Sequence, residues 1–160
     1  MTLKIEGTIK GITVLVLLDS GASHNFISPK LVRMLGLSVM DSRSIRVKLR
    51  DGYKTGTKGV CQHIWLVLGA YGCSIEAHVL EIGGLDLILG VTWLSTLGDV
   101  CINRKSMVMK FVVNNQRYTL LGVQQTDRTT YSLDQWARGQ RFNNTHCQIN
   151  GGDSSNGSSF

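Results

Sequence analysis

Val16-Leu17-Leu18-Asp19-Ser20-Gly21-Ala22-Ser23-His24-Asn25-Phe26-Ile27 carries an apolar run straight into a carboxylate, a hydroxyl and a glycine, and then turns apolar again. The run over residues 12–18 is built mainly of Val, Leu and Ile and predicts a buried strand. A carboxylate at the end of such a strand is costly, because desolvation penalises its charge unless it is paired, hydrogen-bonded or protonated. Two readings meet that cost. In one, Asp19 caps a turn and is stabilised by the N–H groups that follow it; in the other, the carboxylate is there for chemistry.

Working outward, residues 3–9 alternate as a strand does, and Lys10-Gly11 breaks them from the next. Ser28-Pro29 supplies an N-cap and a first-turn proline, and Gly36 closes residues 30–35 into a short helix. Ile45, Val47 and Leu49 alternate with Arg46, Lys48 and Arg50, and Asp51-Gly52 offers a hairpin turn, with a return arm expected over residues 60–68. Further strands are expected over residues 73–79, 85–89, 100–103, 107–113 and 117–121, with one or two helical turns over 92–97. Many short strands and brief helices predict an all-β fold, a closed barrel or sandwich.

The 160 residues suit one domain with a tail, and 42% hydrophobic with 18% charged residues is the balance of an ordinary soluble globular chain. Eighteen glycines against one proline exclude collagen-like and proline-rich architectures. The domain is expected over residues 1–123. After Gly122 the patterning decays into an Asn-, Gly- and Ser-rich stretch, so residues 124–160 read as a polar tail or linker, disordered at its end. The net charge of +6 resides in residues 1–123, and residues 43–58 are the most basic segment. A solvated hairpin face explains that segment better than a nucleic-acid footprint, since Tyr53 is its lone aromatic and direct nucleic-acid binding is not expected. Cys61, Cys73, Cys101 and Cys147 form no CxxC pair and read as reduced apolar residues. With no signal-peptide pattern and no apolar run long enough to span a bilayer, a cytoplasmic protein that avoids membranes is expected.

Roughly 70 residues after the first motif, Leu85-Asp86-Leu87-Ile88-Leu89-Gly90 repeats the form of an apolar strand ending in glycine, with Trp93-Leu94 after it. Together the two stretches resemble the retropepsin-like aspartic proteases, particularly those of plant gypsy-type LTR retrotransposon Gag-Pol polyproteins. The resemblance covers residues 3–122. It implies a retropepsin-like (acid protease) barrel and a homodimer, because the Asp-Ser-Gly motif occurs once in the chain. It also implies an aspartic endopeptidase that hydrolyses a polypeptide with a water held between two Asp19 carboxylates, with no cofactor and no metal. Ser20 would hydrogen-bond across the dimer and Gly21 would let the backbone approach the carboxylates. Ala22, Ile88, Leu89 and Gly90 would support the loop. Residues 43–58 fall where the family has its flap, with Arg50, Asp51, Gly52 and Tyr53 expected near substrate; virus-like particles in the cytoplasm are one setting the resemblance implies.

Rival readings are weaker. Gly21-Ala22-Ser23-His24-Asn25 lacks the closing glycine of a nucleophile elbow, and adjacent residues on an extended chain point apart. His24, His63, His78 and His146 share no ligand spacing. Trp65, Trp93 and Trp136 read as core or edge aromatics. The competitor from another class is a catalytically silent retropepsin-fold module used for dimerisation or binding.

Overall fold

A computed structural model describes residues 1–48 and 52–124. Alternation in the first segment produces β1 (Thr2–Ile9), whose Leu3, Ile5 and Ile9 are buried. Lys10 and Gly11, both at positive φ, turn the chain into β2 (Ile12–Asp19), which pairs antiparallel with β1. A short β3 (Phe26–Ile27) follows the Asp19 loop. Helix α1 (Pro29–Leu35) starts where expected: Ser28 Oγ accepts the Leu31 N–H at 3.1 Å. It stops at left-handed Gly36, with Gly36 N–H donated to Arg33 O and Leu37 N–H to Val32 O, a Schellman-type ending.

The hairpin is β4 (Arg46–Lys48) against β5 (Lys54–Gly56). This corrects the return arm expected over residues 60–68. Gly59, at φ 99°, redirects the chain, and β6 (Val60–Leu68) instead pairs with β7 (Tyr71–Val79) in the barrel wall. The hairpin is pinned at its base by Thr57, 6% exposed, whose hydroxyl accepts the Ile45 N–H at 2.9 Å and whose own N–H reaches Ile45 O.

After β7 come β8 (Leu87–Leu89), the four-residue helix α2 (Val91–Leu94), a 3-10 turn (Ser95–Leu97), and β9 (Val100–Asn103), β10 (Val108–Val113) and β11 (Gln116–Leu121). Strand order β1-β2-β8-β3-β7-β6 closes a six-stranded barrel, and β11-β10-β9 forms a separate sheet. Parallel pairing of β2 with β8 and of β3 with β7 explains why Val16, Leu17, Leu18, Leu87 and Leu89 form apolar runs rather than strict alternation. The barrel interior and the three-stranded sheet share one core, in which Phe111 lies edge-on to Tyr71 and stacks on Tyr118. Trp93 is buried in it, whereas Trp65 is 59% exposed; Trp136 lies outside the described residues. Cys61 and Cys101 are buried and Cys73 is half-buried, all three as free thiols; Cys147 lies outside the described residues. No helix among the described residues is long and apolar enough to cross a membrane. The last described backbone contact, Val123 N–H to Lys4 O, lies beside β1; the tail expected over residues 124–160 is, past residue 124, outside the described residues.

Candidate active site

Barrel pairing delivers Asp19 to the end of β2, where the strand's last residue still pairs with Thr2. Asp19 is 7% exposed, and its Oδ1 accepts the Gly21 N–H at 2.8 Å. The turn therefore does cap the carboxylate through the Gly21 N–H, and Asp19 still lines an open cleft of about 670 Å³. Gly21, Ala22 and Ser23 continue the floor, Phe26 and Ile88 supply apolar wall, and residues 80–83 close one side. Facing them are Ile45, Arg46, Val47 and Lys48 of the hairpin. The lining is thus mostly apolar around the Asp19 carboxylate.

The two motifs that are far apart in sequence meet here. Leu18 is in parallel register with Leu89, so Asp19 and Gly90 leave the barrel side by side. The Val91 N–H is donated to Ala22 O at 2.8 Å. A Cβ on Gly90 would press on the carbonyl oxygens of Ala22 and His24, the latter at 2.5 Å, so glycine is needed for this close approach. Leu89 is fully buried behind the loop, while half-buried Ile88 reaches the cleft. Ser20 does not line the cleft: its hydroxyl accepts from the Met1 amino group at 2.7 Å, and its N–H is donated to Met1 O.

At the hairpin turn, Gly52 has a left-handed φ of 86° and Tyr53 is 66% exposed. Arg50 and Asp51 lie outside the described residues. The hairpin residues that line the cleft, 45–48, were not singled out from sequence; the inward phase of Ile45 and Val47 was the available signal.

Three side chains that hold the site together also escaped the sequence reading. Asn25 is 6% exposed, and its side chain makes three hydrogen bonds, one to Glu76 on β7 and two to Gly90 and Thr92 at the start of α2. Asp86 Oδ2 accepts the Leu15 N–H at 2.8 Å, tying β8 to β2 just below the motif. Thr57 anchors the hairpin, as described above. One sequence argument fails: a bend at residues 23–24 brings Ser23 Oγ and His24 Nδ1 to 2.8 Å, although adjacent side chains were expected to diverge. Beyond that pair His24 meets the rings of Phe26 and His78. Burial holds the His78 imidazole below its ordinary value, with repulsion from His24 adding to it and Glu76 opposing. Among the described residues no group of three or more His, Cys, Asp or Glu is arranged to hold a metal ion; His146 lies outside them.

A family model described as retroviral aspartyl protease matches residues 5–115, from the middle of β1 to the turn before β11. The chain belongs to that family. Among solved structures, this aspartyl-protease family domain is similar to the retroviral protease-like domain of Ddi1 from Leishmania major, at 18% identity and a TM-score of 0.57, over 79% of this chain and 98% of that one. It is also similar to a retropepsin-like aspartic protease from Rickettsia conorii, at 17% identity and a TM-score of 0.51, over 74% of this chain and 84% of that one. The fold is thus the retropepsin-like barrel. No curated protein sequence matches the chain.

Proposed function

We propose that the chain is an aspartic endopeptidase that works as a homodimer, each copy contributing Asp19. The observation that carries this reading is a carboxylate on the floor of an open, mostly apolar cleft, in a motif that the chain contains once. Two carboxylates about 3 Å apart do not both ionise readily, so the pair shares one proton; aspartic proteases are the standing example of this dyad. The ionised carboxylate takes a proton from water as the water oxygen bonds to the peptide carbonyl carbon, and the protonated one gives its proton to the carbonyl oxygen. The resulting gem-diol collapses with proton transfer to the leaving nitrogen, and the dyad returns to its starting state. No covalent enzyme intermediate forms.

In this reading the Gly21 N–H orients one carboxylate oxygen, and Ser20 exchanges its contacts with Met1 for contacts across the dimer. Ala22, Ile88, Leu89 and Gly90 hold the loop. The hairpin acts as a flap: Ile45 and Val47 cover the substrate, Arg50, Asp51, Gly52 and Tyr53 lie over it, and closure excludes water. The substrate is a polypeptide, and the setting proposed is the Gag-Pol polyprotein of a plant gypsy-type retrotransposon, processed in the cytoplasm. Cleavage of a peptide pool by wild type and not by Asp19→Asn tests this function. A dimer that cleaves nothing would replace it with a silent dimerisation or binding module, a role compatible with the likeness to the Ddi1 domain.

A further inference from the structure

Asn25 is one of four buried polar or charged residues among those described, and its amide makes three hydrogen bonds. Its Nδ2 donates to Glu76 O on β7 at 3.0 Å. Its Oδ1 accepts the Gly90 N–H at 3.0 Å and the Thr92 hydroxyl at 3.2 Å. Its backbone O accepts the His78 N–H at 2.9 Å. One side chain thus joins the end of the Asp19 loop to β7, to the residue after β8 and to helix α2. Gly90 N–H is itself buried, so without Asn25 a backbone donor would be left unsatisfied. Ala22 O and His24 O lie so near Gly90 that a Cβ there would collide with both, and Val91 N–H is donated to Ala22 O. The start of α2 is therefore tied to the Asp19 loop by two bonds, Gly90 N–H to the Asn25 amide oxygen and Val91 N–H to Ala22 O.

We propose that Asn25 is a positioning residue that fixes the height of the Asp19-to-His24 loop over the barrel end. It acts through Gly90 and Thr92 and touches neither water nor substrate. This rests on the protease reading, since the loop matters to rate only if Asp19 does the chemistry. Loss of the clamp lets the loop ride up and misplaces the carboxylate, and misplacement on the order of 1 Å costs about 100-fold in rate.

The test compares wild type, Asn25→Leu and Asn25→Asp in peptide cleavage at about pH 4.5, with rates normalised to folded dimer measured by sedimentation. Asn25→Leu removes both halves of the amide; kcat is expected to fall about 10- to 100-fold with KM within about 3-fold. A protonated Asn25→Asp keeps an oxygen for Gly90 N–H and an O–H for Glu76 O, so its kcat is expected within about 3-fold of wild type. The proposal is overturned if the leucine and aspartate variants lose kcat equally, if the loss lies in KM, or if normalisation to folded dimer removes it. Hydrogen exchange provides a second readout that does not depend on cleavage. The Gly90 and Val91 amides are expected to exchange at least about 10-fold faster in Asn25→Leu while Leu66, in the opposite barrel wall, is unchanged. A wild type that cleaves nothing overturns the protease reading, and the exchange data then still decide the clamp: unchanged rates at Gly90 and Val91 refute it.

Discussion

Replacing Gly90 by alanine tests whether the meeting of the two motifs is as tight as it looks. Gly90 has φ −99° and ψ −160°, a conformation alanine adopts freely, so any cost is steric. The new Cβ would sit 2.5 Å from His24 O, and Cβ contacts below 3.0 Å require something to move while those from 3.4 Å upward are ordinary. The loop must therefore retreat by at least about 0.5 Å. Both obstructing atoms are backbone carbonyls, so no rotamer change relieves them. Overpacking of this kind costs about 1–3 kcal/mol. At about 4 °C per kcal/mol for a domain of this size, the melting temperature should fall roughly 4–12 °C. The same displacement moves Asp19's loop, and kcat should drop about 100-fold. Thermal unfolding and peptide cleavage measure the two effects. Gly84→Ala is the control: a Cβ there meets nothing within 4 Å, so stability should change by less than about 0.5 kcal/mol. A Gly90→Ala protein as stable and active as this control would refute the close-packing argument.

Asp86→Ala leaves Leu15 N–H without its side-chain acceptor and should cost about 1–3 kcal/mol, whereas Asp86→Asn, which keeps an oxygen there, should cost less; equal urea midpoints for the two would count against the bridge. His78 predicts an acid-side loss of stability. Its imidazole is held below the ordinary value by burial, so the unfolded chain binds the proton more readily. The contribution is full above the unfolded value of about 6.5 and is lost as pH falls below it. His78→Gln should flatten the dependence of the urea midpoint between about pH 7 and 5, and an unchanged slope would contradict the assignment.

Much of the barrel was legible because its causes are local. Alternation in residues 3–9, the Ser28-Pro29 start and the Gly36 stop each act within a few residues, and the structure places β1 and α1 accordingly. The partner of β6 was not legible. Asp51-Gly52 marks a turn but not how far the returning arm runs; Gly59 and the Thr57 anchor decide that, and they act through Val79 and Ile45. The site divides the same way. Asp19, Gly21 and Gly90 stand out as a carboxylate and glycines set against apolar runs. Asn25 and Asp86 look like ordinary polar residues in sequence, because their partners lie 65 and 71 positions away. Parallel pairing of β2 with β8 brings Asp86 to Leu15, and antiparallel pairing of β3 with β8 brings Asn25 to Gly90.

The central claim is that Asp19 performs hydrolysis in a dimer. Wild type and Asp19→Asn should be compared on a peptide pool between about pH 4 and 7, at concentrations that favour association, with mass measured by sedimentation in the same samples. The account predicts two dimers of equal mass, cleavage by wild type alone, and a loss in the variant of at least about 100-fold. Comparable cleavage by Asp19→Asn, or a wild-type dimer that cleaves nothing, would contradict it.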